Sequence, residues 1–190
     1  MVKRCEWGLN YQISIDYHDK EWCVPVYDDK ILFEFLILEG AQAGLSWITI
    51  LQRRENYREA FDNFDYEKIA KYNEEKITEL LQNSGIIRNK LKVRSAVTNA
   101  QAFIEVRKEF GTFSKFIWSF VDNKPIQNKW KSLRELPAKT ELSEKISKDL
   151  KKRGFRFVGP TIVYAFMQAV GMVNDHTIDC YRYKELKNPK

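Results

Sequence analysis

SEKISKDLKKRGFRFVGPTIVYAFMQAVG, residues Ser143–Gly171, is a pair of helices separated by a fixed gap. Ser143 is a residue type that caps helix N-termini, and Gly154 suits the C′ position because glycine tolerates positive φ. Five residues later Gly159-Pro160 opens a second helix, with proline at the first position, where its missing N–H costs nothing. That second helix, Pro160–Val170, is nearly all apolar and is expected to be buried, with Gly171 ending it. The spacing predicts helix, five-residue hairpin, helix over roughly Ser143–Val170.

Outward from this pair, helical periodicity dominates and no alternation is long enough to build a sheet, so the expected fold is all-α. Asp28–Gln42 carries Ile31, Leu32, Phe35, Leu36 and Leu38 on a helical stripe, and after Gly44-Leu45-Ser46 the pattern resumes over Trp47–Ala60. Asn73 is placed to cap a helix through Ile77, Leu80 and Leu81. A longer helix is predicted from Asn89 to Phe110, ending at Gly111, then a short aromatic segment, Phe113–Val121. The polar stretch Asp122–Arg134 reads as an exposed loop. No repeat or Pro/Gly/Ser linker divides the 190 residues, so one domain over 1–190 is expected, as a monomer.

The net charge of +6 is modest, but its placement is not uniform. Arg88, Lys90, Lys92 and Arg94 lie in a stretch without acids, and Lys148, Lys151, Lys152, Arg153 and Arg156 face only Asp149. Clusters beside turns suit phosphate contact; ordinary solvated helix faces are the competing reading. No apolar run is long enough to span a membrane, and the opening residues lack the apolar core of a secretion signal, which points to a cytoplasmic enzyme.

Three cysteines and no secretion signal disfavour a disulfide framework. His176 and Cys180 stand four apart, on one face if that segment is helical, and Cys5 and His18 lie at the other end of the chain. Together they compose a Cys₂His₂ set, which suits a closed structural zinc site; the alternative is that they are core residues. Such a clip would close a loop of about 170 residues and restrict the unfolded chain accordingly.

Several motifs are similar to those of the bacterial 3-methyladenine DNA glycosylase I family. They include Arg4-Cys5-Glu6-Trp7, Tyr17-His18-Asp19, Glu21-Trp22, Leu38-Glu39-Gly40 and Gln42-Ala43-Gly44-Leu45-Ser46-Trp47, with Lys152-Arg153-Gly154-Phe155, Phe166-Met167-Gln168-Ala169 and Asn174-Asp175-His176. The match runs in order from Arg4 to about Cys180. The resemblance implies a helix-hairpin-helix glycosylase fold whose ends are joined by a structural zinc (Zn²⁺) on Cys5, His18, His176 and Cys180. It implies that the hairpin Phe155–Gly159 presents backbone N–H groups to a DNA phosphate, reinforced by Lys151, Lys152, Arg153 and Arg156. Gly44-Leu45 would fill the gap left by a flipped nucleotide, the alternative being a plain turn.

The resemblance also assigns the base pocket to Trp7, Tyr17, Glu39 and Trp47. An adenine alkylated at N3 is cationic and has a weakened glycosidic bond, so aromatic faces and a carboxylate are the groups that would hold it. Glu39 is the expected catalytic residue, acting electrostatically; as a bare sequence feature it reads equally as a solvated helix edge, and the tryptophans as core. Asp175 adjoins the ligand position His176, and the sequence assigns it no role. Ser14, Cys23 and Ala41 depart from the family pattern, which has tyrosine, glycine and glutamine there. The expected function is monofunctional hydrolysis of the 3-methyladenine N-glycosidic bond in alkylated double-stranded DNA. The alternative is a lesion-binding or zinc-stapled DNA-binding protein without efficient excision.

Overall fold

The computed structural model describes residues 2–7 and 9–187. Its centre is α2 (Asp29–Gln42), capped by Asp28, whose side chain accepts the Ile31 N–H at 3.0 Å. Every residue of α2 from Leu32 to Ala41 is buried, whichever face it occupies, so this helix is a core axis and not an amphipathic surface helix. Around it pack α3 (Trp47–Leu51), α7 (Lys90–Phe110), α8 (Phe113–Trp118) and α10 (Pro160–Ala169). Before α2 stands α1 (Gln12–Lys20), which the periodicity did not reveal. Helices α4 (Arg54–Ala60), α5 (Tyr66–Ile69), α6 (Glu74–Gln82), α9 (Glu141–Lys152) and α11 (Tyr181–Lys187) complete the set.

Most predicted ends hold. Asn73 caps α6 and Asn89 caps α7, each through its side-chain oxygen, and Gly111 ends α7 with φ 85°. The helix–hairpin–helix is α9, a turn and α10, packed against each other. Gly154 takes φ 94°, and Gly159 caps α10 with Pro160 at its first turn.

Three expectations are corrected. The N-cap of α9 is Thr140 and not Ser143; Ser143 is the third helical residue, closing a reciprocal capping box with Thr140. The helix expected over Trp47–Ala60 breaks at Gln52-Arg53, an offset that aims Arg54 at Glu34 and Glu21, each 2.6 Å away. The polar stretch Asp122–Arg134 is not simply an exposed loop. Its residues Ile126–Gln127 (β1) pair in parallel with Val173–Asn174 (β2), Ile126 opposite Val173, and the Trp130 carbonyl accepts the Ile178 N–H. Two residues per strand are too few for alternation to register in a sequence. No helix among the described residues is long and apolar enough to cross a membrane.

Candidate functional site

Residues near the two ends of the described chain meet in the interior. Cys5, His18, His176 and Cys180 place their ligand atoms within 4.8 Å of one another, all buried, in a group that could hold a metal ion. Cys5 Sγ and Cys180 Sγ each lie 3.5 Å from His176 Nδ1, and Cys180 Sγ lies 3.6 Å from His18 Nε2. Both imidazoles are oriented from outside. His18 Nδ1 is 2.8 Å from Asp19, itself clamped by Arg4 at 2.8–3.0 Å, while His176 Nε2 is 3.2 Å from the Trp22 carbonyl. These contacts put each ring proton on the far nitrogen and leave the inward nitrogen a lone pair. The Arg4 guanidinium holds the Asp19 carboxyl well below the usual carboxylate range.

Against this cluster leans a pocket of about 230 Å³ lined by Trp7, Tyr17, Trp22, Glu39, Gln42, Trp47, Leu136, Ala165 and Gln168. All four expected base-binding residues are in its wall. The walls follow from the cluster: Trp7 is two residues from Cys5, and Tyr17 adjoins His18. Trp7 meets Trp22 edge-on with centroids 4.8 Å apart, and Tyr17 lies 5.4 Å from Trp47.

Glu39 comes from the floor. It sits on the buried axis α2, 3% exposed, and burial pushes its carboxyl up to about 8. Next to it, Gly40 lets the hairpin close on α2: a Cβ there would come within 3.2 Å of the Phe157 Cβ. Buried polar atoms almost always find partners. Here Glu39 Oε2, Trp7 Nε1 and Trp47 Nε1 have none, three of the six such buried side-chain atoms among the described residues. Two indole donors and one carboxyl oxygen around an aromatic slot are what a flat, hydrogen-bonding ring would satisfy.

Sequence reasoning missed Trp22, Gln42, Leu136, Ala165 and Gln168 as pocket residues. The signal for Gln168 was a lone amide on the nearly all-apolar α10. Asp175, which the sequence left without a role, is fully buried and is not in the pocket wall. Its carboxylate accepts from Asn128 Nδ2 (2.6 Å), Trp130 Nε1 (2.8 Å), Tyr164 Oη (2.6 Å) and Gln168 Nε2 (2.8 Å). Cys23 adopts φ 64°, which explains why glycine suits this position, and its Sγ accepts the Asp175 N–H at 3.4 Å.

The expected DNA-contact residues lie on the hairpin side, with differences among them. Lys151, Lys152 and Arg156 are exposed, and Gly159 stands at the N-terminus of α10. The Arg156 backbone is pinned to α7 by a reciprocal pair with the Asn99 side chain, at 2.7 and 3.0 Å. Arg153 is already engaged: it binds Asp149 and Glu109, both at 2.6 Å, and stacks over Phe110 and Phe116. Gly44 turns with φ 78°, and Leu45 after it is 41% exposed.

A mostly helical scaffold with a helix–hairpin–helix, an aromatic slot over a buried carboxyl and a Cys₂His₂ cluster joining its two end segments defines a class of base-binding repair fold. The chain belongs to the methyladenine glycosylase family, whose pattern it matches over residues 7–183. It is 54% identical to the DNA-3-methyladenine glycosylase of Haemophilus influenzae over 180 residues, covering 95% of this chain and 97% of that one. With DNA-3-methyladenine glycosylase 1 of Escherichia coli it shares 48% over 182 residues, covering 96% and 97%. Among solved structures, the 3-methyladenine DNA glycosylase I of Staphylococcus aureus, described for its recognition of 3-methyladenine, superposes with a TM-score of 0.91 at 37% identity, covering 94% of this chain and 95% of that one.

Proposed function

We propose that this protein is a monofunctional DNA glycosylase that hydrolyses the N-glycosidic bond of 3-methyladenine in alkylated double-stranded DNA, as a cytoplasmic monomer. The observation that carries this is the aromatic slot with three buried, unpartnered polar atoms, in a chain about half identical to DNA-3-methyladenine glycosylases.

The lesion enters flipped from the duplex, its ring between the faces of Trp7, Tyr17 and Trp47. Leu45, raised on the Gly44 turn, fills the vacated stack. In the empty pocket Glu39 carries a proton below about pH 8. The alkylated base arrives already cationic and lowers that pKa, so Glu39 gives up its proton to solvent and pairs with the base as a carboxylate. The bond from C1′ to N9 then breaks, its electron pair neutralising the base, and water adds at C1′ with loss of one proton. Positive charge on the leaving group already lowers the barrier, and Glu39 contributes as an electrostatic partner.

Zn²⁺ fits the Cys₂His₂ cluster. With zinc–sulfur bonds of about 2.3 Å and zinc–nitrogen bonds of about 2.0–2.1 Å, the sulfur-to-nitrogen edge of a tetrahedral site is about 3.6 Å. Cys5 to His176, Cys180 to His176 and Cys180 to His18 stand 3.5–3.6 Å apart here, and all four ligand atoms lie within 4.8 Å of one another. Cys5, His18, His176 and Cys180 would fill all four positions, so a bound ion would be structural and would tie together the segments bearing Trp7 and Tyr17.

Duplex binding is assigned to the hairpin, through the backbone at Gly159 and the cations Lys151, Lys152 and Arg156, contacts that read no sequence. Arg153 acts one step back, bracing α9 against α7 and α8. The deciding assay is release of free 3-methyladenine from methylated DNA by purified protein. Tight binding of methylated DNA without base release would favour the lesion-binding alternative.

A further inference from the structure

The turn that ends α2 is held by a lysine 49 positions further along the chain. Ala43 has φ −43° and ψ 116°, Gly44 has φ 78°, and the Leu45 N–H donates to the Gln42 carbonyl at 2.6 Å. These are the angles and the bond of a type II turn over Gln42–Leu45, whose third residue needs the positive φ that Gly44 supplies. Such a turn differs from type I by a flip of its central peptide, here the one joining Ala43 to Gly44. Lys92, in the first turn of α7, donates through Nζ to the Ala43 carbonyl at 2.6 Å and to the Ala41 carbonyl at 2.8 Å. The first bond fixes the central peptide. The second ties it to the last turn of α2, where carbonyls lack partners along the helix. Lys92 is half-buried, and desolvation lowers its pKa. It therefore stands apart from the solvated cations of the basic run to which its sequence position assigned it.

What the clamp serves follows from the turn's neighbours. Gln42 before it and Trp47 after it line the base pocket, and Leu45 between them is an apolar side chain 41% exposed. Resting on the glycosylase reading, in which Leu45 fills the stack vacated by the flipped nucleotide, we propose that Lys92 is the positioning residue that orders this turn before DNA arrives. A turn already ordered loses less freedom when its leucine enters the duplex. Lys92 is not in the wall of the base pocket, so the clamp acts on gap-filling and not on the hold over the base. Two of the ammonium's three donors are spent on the turn, which sets Lys92 apart from a lysine free to pair with a phosphate.

The test uses a duplex in which a tetrahydrofuran abasic analogue replaces one nucleoside, opening a gap while offering the pocket no base. Its affinity relative to that of the intact duplex reads gap-filling; free 3-methyladenine, followed by tryptophan fluorescence, reads the pocket. Wild-type protein is expected to prefer the gapped duplex. Lys92→Met keeps length and loses the donors. It should cut that preference about 2- to 10-fold, the cost of ordering one side chain on binding, and leave 3-methyladenine affinity unchanged. In a Leu45→Ala background the same substitution should cost nothing further, because the leucine it positions is gone. The salt dependence of intact-duplex binding should also stay the same. A slope lower by about 0.9 in Lys92→Met would make the lysine a phosphate contact and overturn the inference. Additive losses in the double variant, an unchanged preference in folded Lys92→Met, or a matching fall in 3-methyladenine affinity would overturn it as well. Wild-type protein that binds 3-methyladenine but does not prefer the gapped duplex overturns the role given to Leu45, and this inference with it. Wild-type protein that does not bind the base overturns the glycosylase reading itself.

Discussion

Replacing Glu39 by glutamine tests whether the base pocket is built around a carboxyl held out of water. Burial moves this carboxyl from 4.5 to about 8 in the folded chain, with no charged partner offsetting it. At about 1.4 kcal/mol per tenfold change in an ionisation constant, the ionised form is disfavoured in the folded chain by about 5 kcal/mol. The sign follows from proton counts. Between pH 4.5 and about 8 the folded state holds a proton that the unfolded state has lost. Stability contributed by the neutral carboxyl is thus full at low pH, falls through this window and is gone above it. Glu39→Gln removes this dependence while keeping the side-chain shape. The stability of the variant relative to wild type should therefore rise by several kcal/mol between pH 5 and pH 9, on the order of the 5 kcal/mol ceiling less what pocket water recovers. Urea unfolding by tryptophan fluorescence at a series of pH values measures it, and any constant offset from the amide cancels in the comparison. A difference that stays flat with pH, or that falls, would refute the claim that Glu39 is desolvated and unpartnered.

Two further outcomes are expected. Freshly purified protein should carry one zinc per chain; Cys5→Ala should lower both the melting temperature and 3-methyladenine binding, because Trp7 and Tyr17 flank the ligands, and well under one zinc per chain by elemental analysis would overturn the assignment. Neutralising Lys151, Lys152 and Arg156 should weaken binding to damaged and undamaged duplex alike and lower the salt slope by about 0.9 for each phosphate that the protein no longer neutralises; Arg153→Gln should instead lower stability with little change in that slope, and the opposite pattern in a salt titration would return Arg153 to the DNA surface.

The helix ends were legible because they are written locally. Asn73, Asn89 and the Gly154-to-Gly159 hairpin act through backbone geometry within a few residues, and each stands where it was expected. The break at Gln52-Arg53 was not legible, since it serves ion pairs from Arg54 to residues 20 and 33 positions away. The strand pair was hidden for a similar reason: its partners are 47 positions apart, Ile126 and Val173, and two residues long.

Sequence by itself determined the membership of the two constellations. Cys5, His18, His176 and Cys180 were isolated by residue type and position, and Trp7, Tyr17, Glu39 and Trp47 by their resemblance to family motifs. Only the tertiary structure decided the electrostatic state of those groups and which neighbours complete them. Burial of Glu39 depends on α2 being enclosed on every face by helices distant in sequence, and desolvation is a property of that enclosure, not of the residue. Arg153 left the exposed basic cluster because Glu109 and two aromatic rings lay within reach once α7 and α8 had packed. The orientation of Gln168 rests on Asp175, whose donors come from two separate elements. A sequence names donors and acceptors; which of them face each other is settled only when distant segments share a dry interior, where every unpaired polar group is costly.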